Sequence, residues 1–262
     1  MVIFRQEIRQ QRLSLIIWSL SIGLLVAVCV LMYPDMKSEM DGVNDIFSSM
    51  GNFTAAFGMD QLNFGTLIGF YAVEGGNILG IGGAFFAAIT GITALMKEER
   101  DRTAEFLMTH PVSRGRVITE KLVSTFTLII LLNVIVLVCS WISVVMINEE
   151  IEWKDVLLIH LAFLILQFEI AGICFGISAF ISRSGIGIGI GIAAVMYFIN
   201  IVANISDDAK VLKYITAFGY TEGADIIYDH GLKMEYVIPG MVFMLVGIVA
   251  GYVKYSRKDI RA

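Results

Sequence analysis

Apolar residues in this chain gather into six runs, each close to the ~20 residues a helix needs to cross a bilayer. They cover approximately 13–33, 77–96, 122–147, 156–181, 185–205 and 237–255. Backbone groups in hydrocarbon must be satisfied within their own segment or within a closed barrel. Runs of this length favour helices over the ~10-residue strands of a barrel. The fold class expected is therefore all-α, a polytopic membrane protein with six transmembrane helices in one domain over 1–262. Composition agrees: 57% of residues are hydrophobic and 16% charged, against about half and a quarter in soluble domains.

Lysine and arginine set the orientation. With six spans, one side carries the N-terminus, 97–121, 182–184 and the C-terminal tail, with fourteen basic residues, and the other side carries five. Both termini are expected to be cytoplasmic. Residues 1–12 set Val2, Ile3, Phe4 and Ile8 against Arg5, Glu7, Arg9 and Arg12, the pattern of a short amphipathic helix lying in the interface. The first run is too long for the apolar region of a signal peptide and lacks a small-x-small cleavage site, so an uncleaved span is expected. Val26-Ala27-Val28-Cys29 is a poor lipoprotein box. The polar stretches 34–64 and 206–236 fall on the outer side. Glu74, followed by Gly75 and Gly76, suggests a break or re-entrant turn near Glu74–Asn77 before a membrane helix to Met96.

Few residues carry chemistry. Cys29, Cys139 and Cys174 lie in apolar runs, and His110, His160 and His230 are far apart, so no metal spacing appears and no metal site is expected. No GxxxxGK[ST], GxSxG or HExxH occurs, so no catalytic residue is named and ATP is not bound by this chain. The alternating glycines 185–191 lie in hydrocarbon and are no dinucleotide loop. Gly76 with Gly80, Gly172 with Gly176, and Gly185 with Gly189 are small-residue pairs four apart, suited to close helix packing. Glu74 and Glu169 are intramembrane acids, candidates for a transport path because such groups are costly in lipid. Membrane lipid is an expected partner; nucleic acid is not.

The segment 97–121, KEERDRTAEFLMTHPVSRGRVITEK, is the one sizeable basic loop. It reads as a short helix with Ala104, Leu107 and Met108 on one strip, stopped by Pro111, and a second helix capped by Ser113. Glu98-Glu99-Arg100, Thr103-Ala104-Glu105-Phe106-Leu107, His110-Pro111-Val112-Ser113-Arg114 and Glu120-Lys121-Leu122 resemble the EE-x-x-G-T-x-E-x-L-L-x-x-P-V-S-R…K-L segment of ABC-2-type ABC transporter permeases. Arg102 departs from the glycine often found there.

The resemblance implies the membrane-spanning subunit of a bacterial ABC exporter in the plasma membrane. It implies a cytoplasmic coupling helix, within 97–110, that docks on a separate ATP-binding subunit holding ATP and Mg. It also implies a second permease copy or paralogue, and an amphiphilic cargo such as an antimicrobial peptide, drug or lipid. Glu98, Glu99, Asp101, Arg102, Glu105, Leu107, Met108, Pro111 and Arg114 are the residues it marks for coupling. Two alternatives stand beside it: an ion-coupled carrier working alone through Glu74 and Glu169, and a membrane anchor or sensor that recruits a cytoplasmic partner.

Overall fold

The computed structural model describes residues 2–37, 50–56, 62–101, 112–182 and 185–258. In chain order the helices are α1 (Val2–Lys37), α2 (Asn52–Ala56), α3 (Leu67–Thr93), α4 (Lys97–Arg100), α5 (Arg114–Ile147), α6 (Trp153–Ser178), α7 (Ile186–Ile205), α8 (Gly223–Asp229) and α9 (Met234–Arg257). Among the described residues there are no strands. Six of these helices, α1, α3, α5, α6, α7 and α9, are long and apolar enough to cross a membrane.

Three helix ends are set by named residues. Thr66 starts α3 by accepting a hydrogen bond from the Gly69 amide, and Ser113 starts α5 by accepting from the Arg116 amide. Each satisfies one of the amides left free at a helix start. Asn148 closes α5 in the left-handed region at φ 54°. The amphipathic N-terminal stretch is continuous with the first span, so α1 is a single helix of 36 residues rather than a separate interfacial helix and a span.

The break expected near Glu74–Asn77 is not there. Tyr71–Gly75 forms a π turn inside α3, and Gly75 and Gly76 keep helical dihedrals. A π turn inserts one residue without ending the helix. Here it lets the Tyr71 ring lie along Gly75, where a Cβ would stand 3.3 Å from the ring.

Helix α6 is the hub, packed against α3, α5 and α9, while α1 lies along α5 and α7 lies on α3. Its seam with α9 is built from glycine. A Cβ on Gly176 would lie 2.2 Å from the Gly247 carbonyl, and one on Gly172 would lie 2.4 Å from Met244. Gly80 faces Phe163 on α6, and Gly189 faces the Ala88 carbonyl on α3. Without a hydrophobic drive between helices in lipid, such close backbone approach supplies the dispersion contact that holds them.

Residues 206–233 leave the end of α7 and return into the bundle. A 3-10 helix, Asp207–Tyr214, leads to turns in which Thr216, Ala217, Phe218 and Tyr220 are all buried. The Thr216 hydroxyl donates to the Met196 carbonyl halfway along α7 at 2.7 Å, and Phe218 meets Tyr197 edge-on.

Gly176→Val is expected to lower the thermal unfolding midpoint in detergent, at about 1–3 kcal/mol or more because backbone is the obstacle. Gly187→Ala, where nothing stands within 4 Å of an added Cβ, should leave it unchanged. Equal effects would mean that the α6–α9 seam is looser than described.

Candidate functional site

At the basic end, the flanks of the 97–121 segment are tied to three other helices. Lys121, on α5, is 1% exposed. Its ammonium donates to Glu7 Oε1 on α1 at 3.1 Å, to the Ala94 carbonyl at 2.7 Å, and to Glu98. Lys97 donates to Glu7 Oε2 and, at 2.8 Å, to Gln10. Burial pulls the Lys97 ammonium pKa below its usual value, and Lys121 pushes the same way. Glu120 accepts from the Phe4 amide at 3.1 Å and from Arg116 at 2.8 Å. Two carboxylates, Glu7 and Glu98, thus enclose one fully buried cation.

The C-terminal helix is bound in the same way. Glu99 Oε2 meets Lys258 at 2.8 Å, and the Glu99 side chain is 8% exposed. Arg114 donates to the carbonyls of Ser256 at 3.3 Å and Lys258 at 2.6 Å, a cation placed on the last, unpaired carbonyls of α9. Thr119 and Tyr252 join α5 to α9 by a further hydrogen bond. Both chain ends therefore lie at the same end of the bundle.

These contacts change the picture of the coupling residues. Glu98 and Glu99, expected to meet charges on a partner, are turned inward and paired within the chain. Among the described acids at this end of the segment, Asp101 stays outside, half exposed and joined to Arg100 at 2.8 Å. That hydrogen bond holds the Asp101 carboxyl below its usual range. Arg102, Glu105, Leu107, Met108 and Pro111 lie outside the described residues. Sequence reasoning missed Glu7, Lys121 and Lys258 as partners.

The polar groups within the bundle converge on α6. Tyr71 donates to, or accepts from, His160 Nε2 at 2.7 Å and lies 2.8 Å from the Ser140 hydroxyl. Asn133 donates to Gln167 at 2.7 Å. Glu169, 1% exposed, accepts from the Tyr220 hydroxyl at 3.0 Å, so a residue of the returning segment reaches the intramembrane acid. Glycine is required opposite: a Cβ on Gly240 would stand 2.1 Å from Glu169 Oε2. Glu74 lies half-buried in the π turn, and among the described residues no hydrogen bond joins it to Glu169.

Two hollows flank α7. One, of about 40 Å³, lies between α3, α7 and the returning segment, lined by Asn77, Asn200, Asn204, Thr221 and Glu222 among others. Glu222 accepts from Asn200 at 3.2 Å and from Asn204. The other is an apolar groove of about 450 Å³ between α6, α7 and α9, lined by Ile177, Phe180, Met196, Ile215 and Phe243. Met196 faces the groove and Tyr197 the polar chamber, so α7 forms the wall between them.

Six helices long and apolar enough to cross a membrane are thus tied together at the basic end by buried ion pairs. The model of the ABC-2 family transporter proteins matches residues 1–260, and the chain belongs to that family. It is a multi-pass membrane protein, the membrane component of an ABC transporter, in a family whose members work with an ATP-binding subunit. A comparison with curated proteins finds no match.

Lys121→Met strips Glu98 of its buried cation and leaves Glu7 with Lys97 alone, and is expected to destabilise the protein by about 3 kcal/mol or more. Arg116→Met, on a side chain 56% exposed, should cost less than about 1 kcal/mol. Tyr220→Phe removes the donor to Glu169 and should cost about 1–3 kcal/mol. Unfolding in detergent checks all three, and a Tyr220→Phe midpoint equal to the unsubstituted protein's would show that this bond does not hold the returning segment.

Proposed function

We propose that this chain is the permease subunit of an ABC exporter, with its basic end in the cytoplasm and coupled to a separate ATP-binding subunit through 97–110. The carrying observation is the double stapling of that segment. At its start, Lys97, Glu98 and Glu99 bind α1, α5 and α9; after it, Arg114 and Glu120 bind α9 and α1. A displacement applied between those anchors reaches three span helices together. Buried ion pairs resist being pulled apart because separation strands an unpaired charge. Asp101, on the exposed side, is the described acid best placed to meet the ATP-binding subunit.

Family membership makes the stand-alone carrier and the anchor-only readings secondary. An amphiphilic cargo draws support from the two hollows beside α7, one apolar and one polar. The polar chamber, at about 40 Å³, has room for waters but not for cargo, so transport on this reading requires α3 and α7 to separate from the returning segment. A second permease copy would pack on α7, where Gly187 and Gly191 have nothing within 4 Å of an added Cβ.

Purification of the full chain from its native membrane should bring an ATPase with it, and Asp101→Lys should reduce that retention severalfold while leaving the thermal midpoint unchanged. Glu98→Lys is the wrong probe, since it places a second cation against Lys121 and disturbs folding. If no ATPase accompanies the unsubstituted chain, the coupling reading fails; if Asp101→Lys retains it fully, the docking surface lies elsewhere in the segment.

A further inference from the structure

The start of α6, at the acidic end of the bundle, holds a set of ionisable side chains that transport does not use. Glu152 precedes the helix in extended backbone and makes no capping hydrogen bond with its side chain. Asp155, in the first turn, is fully buried at 0% exposure. His230 ends α8 in the left-handed region at φ 46°, with a side chain 52% exposed. One ligand-type atom from each of the three lies within 4.8 Å of the other two. His230 is 75 positions from Asp155, so no spacing in the sequence joins them.

Pairing inside the trio leaves it unsatisfied. Asp155 Oδ1 is 3.0 Å from His230 Nδ1, but Asp155 Oδ2 is buried and has no hydrogen-bond partner. A buried charged oxygen without a partner is costly, and Glu152 adds a second carboxylate beside it. The start of α6 favours a negative charge, but only weakly. Two lysines of this end are bound elsewhere, Lys37 to Glu149 at 2.9 Å and Lys233 to Asp225 at 2.7 Å.

We propose that Glu152, Asp155 and His230 form a divalent transition-metal site, with Zn²⁺ as the cation of choice. A cation answers all three observations together: the orphaned oxygen, the adjacent carboxylates and the converging imidazole. Calcium and magnesium take oxygen ligands, whereas zinc accepts imidazole and carboxylate at about 2.0–2.2 Å. Such bonds place ligand atoms about 3.4 Å apart in a tetrahedron, so the trio must adjust slightly, the Asp155 Oδ1–His230 Nδ1 pair opening from 3.0 Å. Glu152 and His230 are exposed enough to do so, while Asp155 is held. Three protein ligands leave a fourth position for water. Bound metal would fasten the junction of α8 and α9 to α6, and with it the segment that carries Tyr220 to Glu169.

The test uses the full chain in detergent, stripped with a chelator and titrated with Zn²⁺ alone by calorimetry, and with Co²⁺ alone by visible absorption. One equivalent of Zn²⁺ is expected, with a raised thermal midpoint and a Co²⁺ spectrum free of thiolate bands. His230→Gln and Glu152→Gln should each weaken uptake more than the roughly tenfold that even an outer-shell loss costs. Glu152→Gln alters an exposed side chain and should leave the metal-free midpoint unchanged; His230→Gln also alters the hydrogen bond to buried Asp155, so its uptake is read against its own metal-free midpoint. The proposal is overturned if the unsubstituted chain takes up no stoichiometric Zn²⁺, if both variants bind as it does, or if thiolate bands assign the cation to the cysteines.

Discussion

The structure depends on one buried ammonium group. Lys121 has no water to solvate it, and its charge is met by Glu7 from α1, Glu98 from the segment after α3, and the Ala94 carbonyl. Taking a charge out of water costs several kcal/mol, and only complete pairing offsets it. The pairing therefore specifies geometry more than it adds stability: the beginning of α1, the end of α3 and the beginning of α5 must meet at one point. Around that point the neighbouring pairs, Lys97 with Glu7 and Glu99 with Lys258, fall into place.

The polar groups further along follow a different rule. In the bilayer an unmatched hydroxyl or amide finds no solvent, which favours partners within a helix or across helices. Helix α6 supplies three of those matched across helices because it is surrounded, and residues at its centre can face several partners at once. His160, Gln167 and Glu169 meet α3, α5 and the returning segment respectively. The glycine seam with α9 is part of the same economy of space, since Glu169 fits only where Gly240 has no side chain.

The spans were legible because twenty apolar residues admit few alternatives, and the start of α5 was legible because Ser113 precedes a helix with nothing else to satisfy its first amides. The ion pairs were not. Glu98 and Glu99 have the look of surface acids in a charged loop, and their partners are distant in sequence: Lys121 with Glu98 at 23 positions, Lys258 with Glu99 at 159. No periodicity carries such pairings. Glu169 was visible as an intramembrane acid, but its donor, Tyr220, sits in a stretch whose polar composition placed it on the outer side and gave no sign of folding back. Gly75 and Gly76 misled for a physical reason: glycine permits a break, yet here its small size serves to seat a tyrosine ring beside a widened turn.

Helix length has a mechanical meaning. With 36 and 34 residues, α1 and α5 are about 54 and 51 Å long, well beyond the ~30 Å hydrocarbon core. They run side by side, joined at one end by Glu7 and Lys121 and at the other by Lys37 and Glu149. Such a pair behaves as a single beam through the membrane. A tilt imposed at its foot is carried by both helices toward its head, whereas α3 interrupts its regular winding with a π turn between the two surfaces.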